Sequence, residues 1–215
     1  MNDHEHGLRR DIVAAMQTLD AHGLNRGTSG NVSARFGEGM LITPSGAPAA
    51  ALTPEQVVWM PTDRLPADGG LRPSSEWRMH GGLYEARTDC GAVVHCHSRH
   101  ATILACAGKP IPPLHYMVGV SGKASVPLAP YAPFGSAELA AGVAEAMDGG
   151  FACLMANHGQ IAIGRTVARA LAVAEEMEEQ AAVYWGTLMI GGPTLLDEAQ
   201  MADIFRRFKD YGQKR

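Results

Sequence analysis

The residues best equipped for chemistry are histidines. Nine are present, and His95-Cys96-His97 sets two of them two positions apart. On a strand, residues two apart face the same side, so both imidazoles can reach one ion while Cys96 points away. His158 stands in Asn157-His158-Gly159, just past a second expected strand, where the glycine suits a turn at the rim of a sheet. Three imidazoles with one open or labile position make the pattern of a catalytic zinc site. The same residues would also serve as polar surface histidines, and the His-x-His pair alone does not decide. Glu76, in Pro73-Ser74-Ser75-Glu76-Trp77, falls at an expected helix N-terminus. It reads either as an acid favoured by the helix dipole or as a carboxylate that ligates a metal or moves a proton beside one.

Three small polar turns add a second kind of chemistry: Ser29-Gly30-Asn31, Ser45-Gly46 and Ser74-Ser75. Hydroxyls and backbone amides converging near a helix N-terminus can hold an anion with few cations. Taken singly, each is a plain turn or cap. Arg26 and Arg99 could assist such a site or simply lie on the surface. The lysines are Lys109, Lys123, Lys209 and Lys214, in Gly/Pro-rich loops or the tail, and none reads as a buried Schiff-base amine. Carbanion chemistry would therefore need a metal as electron sink. No Walker motif and no Gly-x-Gly-x-x-Gly after a strand supports nucleotide binding.

Those residues need elements to place them. Periodicity predicts helices over 8–22, from 74 or 75 to about 87, 98–107, 136–147, 166–190 and 197–209. Strands are expected over 31–36, 40–43, 57–60, 91–97, 151–156 and 160–164, and Thr53-Pro54-Glu55-Gln56 reads as a one-turn helix with a capping box. The 74–87 helix would carry Glu76 in its first turn. Glu175, Glu176, Glu178 and Glu179 read as a solvated helix face. Helices and strands mix without strict alternation, which favours an α/β sandwich with a mixed sheet over a barrel or a regular doubly wound fold.

Composition narrows the class further. The 215 residues suit one large domain, and 46% hydrophobic with 19% charged residues is ordinary for a globular protein. A formal net charge of −4 argues against a dedicated nucleic-acid binder. No apolar run approaches the roughly 18 residues of a membrane span, and the polar start MNDHEHGLRR carries no secretory signal. Cys90, Cys96, Cys106 and Cys153 lack zinc spacing and read as buried, reduced thiols. His4, His6 and His22 read as surface residues, His80 as structural and His100 as a helix-face residue.

Taken in order, Gly27-Thr28-Ser29-Gly30-Asn31-Val32-Ser33, Ile42-Thr43-Pro44-Ser45-Gly46, Pro73-Ser74-Ser75-Glu76, Val94-His95-Cys96-His97 and Asn157-His158-Gly159 resemble the class II aldolase/adducin family. The resemblance continues through His115-Tyr116-Met117, residues 129–135 and the tail Phe208-Lys209-Asp210-Tyr211-Gly212, and so covers nearly the whole chain. It implies one domain over residues 1–215, a three-layer α/β/α fold around a central mixed, largely antiparallel sheet, and a homotetramer with active sites between subunits; the reduced cysteines add the expectation of a cytoplasmic protein. It further implies a zinc ion held by His95, His97 and His158, with Glu76 as fourth ligand until substrate displaces it. Manganese or cobalt are alternatives, because histidine-rich sites accept several metals.

The same resemblance assigns Gly30, Asn31, Ser45, Gly46, Ser74 and Ser75 to a substrate phosphate. Tyr116 matches a tyrosine reaching the neighbouring subunit's site, and Tyr211 a mobile C-terminal one. The implied reaction is reversible cleavage of L-fuculose 1-phosphate, or a related deoxy- or methylthio-pentulose 1-phosphate, to dihydroxyacetone phosphate and an aldehyde. Pentulose-phosphate 4-epimerases share the scaffold but are expected to carry aspartate where this chain has Glu76. Decarboxylases and dehydratases on the same metal site stay open. An adducin-like, metal-free interaction module would lack the ligands that are present here.

Overall fold

The structure, a computed structural model, describes residues 2–66 and 70–210. Its centre is a seven-stranded sheet in the order β3-β2-β1-β4-β7-β6-β5. The strands are β1 Asn31–Phe36, β2 Gly39–Ile42, β3 Val58–Pro61, β4 Ala92–Cys96, β5 Leu128–Ala129, β6 Ala152–Met155 and β7 Gly159–Gly164. Every neighbouring pair is antiparallel except β5 with β6, so the sheet is mixed and largely antiparallel. The helices are α1 Asp3–Ala21, α2 Trp77–Ala86, α3 Arg99–Cys106, α4 Ala137–Met147, α5 Val167–Leu188 and α6 Glu198–Asp210.

The pleat sorts the strand side chains into two cores. Val94, Cys96, Leu154 and Ala162 pack with buried residues of α1, α3 and α5. Val93, Cys153, Met155, Ile161 and Ile163 pack with those of α2 and α4. Successive side chains on a strand face opposite ways, so burial on both faces explains the continuous apolar runs in β4, β6 and β7. None of the helices among the described residues is long and apolar enough to cross a membrane.

The expected elements form, with shifts that have local causes. The first helix begins at Asp3 rather than residue 8, because Asn2 caps it by accepting from the Glu5 amide at 2.8 Å, and Asp3 and Glu5 favour its positive end. Its apolar stripe starts later, which is why periodicity placed the start too late. Gln56 accepts from the Thr53 amide at 2.9 Å, as the capping pattern implied. The helix expected from Ser74 or Ser75 begins at Trp77. Residues 74–77 form a turn closed by Trp77 N–H to the Ser74 carbonyl at 3.2 Å, and Glu76 is the cap residue rather than part of the first turn. Residues 116–121, expected as part of a Pro/Gly-rich stretch with strand-like pieces, form a 3-10 helix. Cys90, Cys96 and Cys153 are buried free thiols, whereas Cys106 is exposed at the end of α3.

The acidic stretch of α5 is not simply a solvated face. Glu178 accepts from the His100 and Ala101 amides at 2.9 and 3.0 Å and from the His100 ring at 2.8 Å. These amides belong to the first turn of α3, which has no partner for them within the helix. Glu178 therefore ties α5 to the helix that leaves the His95-x-His97 segment. Glu178→Ala is expected to cost about 1–2 kcal/mol in chemical denaturation. A change within about 0.5 kcal/mol, typical of a bare surface site, would contradict this assignment.

Candidate metal centre

β4 runs between β1 and β7, and the register pairs Asn31 with His95 on one side and His95 with Ile161 on the other. His95 shares the parity of Val93, so its ring faces the α2/α4 side, while Cys96 is buried in the opposite core. His97 follows directly past the end of β4. The β6–β7 connection delivers the third ring. Cys96 pairs with Gln160, so the turn before Gly159 ends beside the end of β4. Asn157 adopts the left-handed conformation there, with φ of 56°. A Cβ on Gly159 would lie 2.6 Å from the Cys96 carbonyl and 3.1 Å from the His97 ring. Glycine is required at that position by close approach.

The result is a triangle of imidazoles. His95, His97 and His158 have ring centroids 4.9 Å apart in each pair, with planes steeply inclined to one another. One nitrogen from each lies within 4.8 Å of the others. His95 Nδ1 donates to the Gln160 carbonyl at 2.8 Å. That hydrogen bond fixes the tautomer and leaves the Nε2 lone pair for a metal, the usual support behind a ligating histidine.

Glu76 completes the group. It is buried, with Oε2 3.2 Å from His95 Nε2 and Oε1 3.1 Å from His158 Nε2. Asn31 Nδ2 donates to Oε2 at 2.9 Å, whereas the His158 ring is the group that faces Oε1. Burial raises the Glu76 pKa, but the His95 charge and hydrogen bonds from His158 and His95 outweigh it and hold the carboxyl well below its ordinary range. At His95 burial disfavours the charged ring, yet Glu76 and the Gln160 carbonyl carry its pKa above 6.5. Burial, then the neighbouring His95 and His158 charges, push His97 down to about 4. Burial, then His95, push His80 down to about 3. A carboxylate with its two oxygens against His95 and His158, beside three convergent imidazoles, is a donor set suited to a divalent cation.

Beside this group lies a cavity of about 380 Å³ lined by Thr28, Gly30, Ser75, Tyr131, Phe134 and Asn157 as well as Glu76, His97 and His158. A second cavity of about 220 Å³ shares Thr28, Gly30 and Ser75 with it and is lined further by Ser45, Gly46 and Ser74. Its lining carries no charged side chain. The three polar turns are thus brought together, with one exception in detail: the Asn31 side chain is turned to Glu76 and His80 instead. Gly30 has φ of 77°, and a Cβ there would strike the Asn25 side chain at 2.3 Å. Asn25 in turn accepts from the His97 amide at 3.2 Å. Sequence reading passed over Asn25 as a loop residue, and no local signal marks it.

Two expected participants stand apart. Tyr116 is half-exposed on the 3-10 helix, beside the His115 ring and 6.5 Å from the Phe208 ring, and does not line either cavity. Tyr211 lies outside the described residues. Arg26 and Arg99 flank a separate groove that also touches His97.

Comparison with known proteins agrees with this architecture. Residues 10–185 match the family described as Class II Aldolase and Adducin N-terminal domain. A 5-methylthioribulose-1-phosphate/5-deoxyribulose-1-phosphate aldolase of Rhodospirillum rubrum is 45% identical over 205 residues, covering 95% of this chain and 92% of that protein. An L-fuculose phosphate aldolase of Escherichia coli K12 is 41% identical over 206 residues, covering 95% of each. A solved structure titled L-fuculose 1-phosphate aldolase superposes with a TM-score of 0.90 at 35% identity, covering 94% of this chain and 96% of that one.

Two outcomes test the geometry. Gly159→Ala should push the end of β4 and His97 aside and weaken metal binding about 10- to 100-fold, the scale of losing a ligand's supporting contact, as read by equilibrium dialysis. Unchanged affinity would contradict the close-approach argument. A ligand must lose its proton before it binds metal. Affinity should therefore fall as pH drops through the raised His95 value, with a further loss near pH 4 where His97 takes up its proton. Affinity that stays constant from pH 8 to about 5 by calorimetric titration would contradict the assignment of His95 as a ligand.

Proposed function

The chain belongs to the class II aldolase and adducin family, and we propose that it is a metal-dependent aldolase. The reaction is reversible cleavage of a ketose 1-phosphate to dihydroxyacetone phosphate and an aldehyde. Relatives named for L-fuculose phosphate and for methylthio- and deoxyribulose 1-phosphates support that substrate class. The observation that carries the reading is the pairing of a histidine–carboxylate cluster with an adjoining uncharged cavity of hydroxyls and amides.

His95, His97, His158 and Glu76 would hold the cation, with zinc the first choice and manganese or cobalt the alternatives. When bound, it supplies Lewis-acid stabilisation of the negative charge that develops as the carbon–carbon bond breaks. The protein's own groups do the rest. The substrate phosphate sits among Gly30, Ser45, Gly46, Ser74 and Ser75, with the Asn31 backbone next to them and its side chain committed to Glu76. Neutral donors suffice for a phosphate when amides and hydroxyls converge.

In the condensation direction Glu76, as carboxylate, takes a proton from the third carbon, and the electron pair left there forms the bond to the aldehyde carbon. The phenol of Tyr116 of the partner subunit gives its proton to the aldehyde oxygen, which becomes the hydroxyl on the fourth carbon. A proton then passes from Glu76 through solvent to the phenolate, restoring both groups, and cleavage is the same path reversed. The exposure of Tyr116, away from its own chain's cavities, supports its reaching a neighbouring copy, and hence the homotetramer with shared sites. Tyr211 is assigned to the same site by the family resemblance. A cytoplasmic location belongs to this reading, since charged sugar phosphates do not cross membranes unaided.

Glu76→Gln tests the reading. The three histidines should still bind metal, while the rate of dihydroxyacetone phosphate release from a panel of ketose 1-phosphates should fall by about 10²–10⁴. A metal-loaded variant that keeps the full rate would contradict the role of Glu76. A metal-loaded native protein that cleaves no member of the panel would contradict the aldolase reading.

A further inference from the structure

Behind Glu76 a buried chain of hydrogen bonds runs along the contact between β1 and α2. Asn31 and Ser33, two apart on β1, face α2. Glu76 caps α2, and His80 and Tyr84 follow at four-residue intervals within it, so the three form one stripe toward β1. The distances are 2.9 Å from Asn31 Nδ2 to Glu76 Oε2, 2.5 Å from His80 Nε2 to Asn31 Oδ1, 2.7 Å from His80 Nδ1 to Ser33 Oγ and 2.7 Å from Ser33 Oγ to Tyr84 OH. Every member is buried, His80 and Ser33 completely.

The chemistry of the end group dictates the direction of the chain. An ionised carboxylate only accepts, so the Asn31 amide must present its NH₂ to Glu76 and its oxygen to His80. His80 Nε2 must therefore carry a proton and donate it. In the neutral ring Nδ1 then accepts from the Ser33 hydroxyl, and Ser33 accepts in turn from Tyr84. All four bonds are satisfied in this one arrangement, and a buried polar network with all its members satisfied is rigid. One consequence concerns the carboxylate itself. Oε2 is held by Asn31, while Oε1 faces only His158 Nε2 at 3.1 Å, a nitrogen assigned to the metal.

We propose that His80 is a positioning residue for Glu76: through Asn31 it fixes Oε2 and leaves Oε1 as the oxygen that exchanges protons with the substrate carbon. This rests on the aldolase reading above. His80 lines neither cavity, and its hydrogen-bonded route to Glu76 runs through Asn31.

The test uses the full-length, metal-loaded protein and dihydroxyacetone phosphate alone in deuterium oxide. Proton NMR follows replacement of hydrogen by deuterium at the carbon that Glu76 serves. His80→Phe should slow this exchange and the cleavage rate together, by about 10- to 100-fold, the scale of losing an outer partner that orients a site residue. Metal content and the dissociation constant for dihydroxyacetone phosphate should stay within about twofold, since the phosphate cavity is untouched. His80→Gln, whose amide can donate from near the Nε2 position, should recover most of the rate.

Ser33→Ala, which keeps the ring but removes its Nδ1 partner, should show a smaller loss in the same direction and serves if His80→Phe does not fold. A folded His80→Phe that exchanges at the native rate overturns the proposal, and so does a Gln variant no better than Phe. The visible spectrum of the cobalt-loaded protein reports the carboxylate independently of turnover. It should change in His80→Phe and return in His80→Gln, and an unchanged spectrum also overturns the proposal. A native protein that binds cobalt with this Gln-reversible spectral response but exchanges no hydrogen would instead overturn the aldolase reading alone.

Discussion

The register of β4 is the constraint on which the rest of the structure depends. It pairs Asn31 with His95 on one side and Ile161 with His95 on the other. A slip of one residue would send every side chain of the strand to the opposite face. His95 would then enter the apolar layer of α1, α3 and α5, and Cys96 would face Glu76. The register is held by what lies on both sides of the sheet: Val94 and Cys96 belong to one core, Val93 to the other. The same ladder brings the turn before Gly159 against the end of β4, so the third histidine arrives by backbone pairing rather than by a long flexible loop.

The site works against its own burial. Removing a carboxylate from water is costly unless it is paired. Here Glu76 is compensated by His95, His158 and the Asn31 amide, and the opposed pKa shifts of Glu76 and His95 record that pairing. At Oε1 the compensation comes from His158 alone, the same ring that is assigned to the metal. Once His158 Nε2 is committed to a cation, Oε1 is the oxygen left free to take up a proton. Asn157 in its left-handed conformation belongs to the same logic, as an uncommon backbone state kept where it aims a ligand.

Much of this was legible in the sequence, because the relevant signals are local. The two-residue spacing of His95 and His97 needs only the strand period, and Asn157-His158-Gly159 needs only turn chemistry. The mixed sheet followed from unequal alternation of helices and strands. What stayed hidden depends on pairs of residues distant in the chain. Glu178 reaches α3 across 78 positions, and Asn25 reaches His97 across 72. The α2 stripe Glu76, His80, Tyr84 is visible as a four-residue repeat, but its meaning appears only when Asn31 and Ser33 are laid against it. Polar periodicity inside an amphipathic helix is the signal there, and spacing alone does not say what a buried polar residue meets.

The most direct test of the account is X-ray absorption spectroscopy at the zinc edge of the zinc-loaded protein, native and Glu76→Gln. The geometry calls for a first shell of three imidazole nitrogens and one carboxylate oxygen, with the oxygen contribution altered in the variant and the imidazole signature retained. A native shell with fewer than three imidazoles, or one containing sulfur, would place the ion elsewhere and contradict the assignment of His95, His97 and His158 as its ligands.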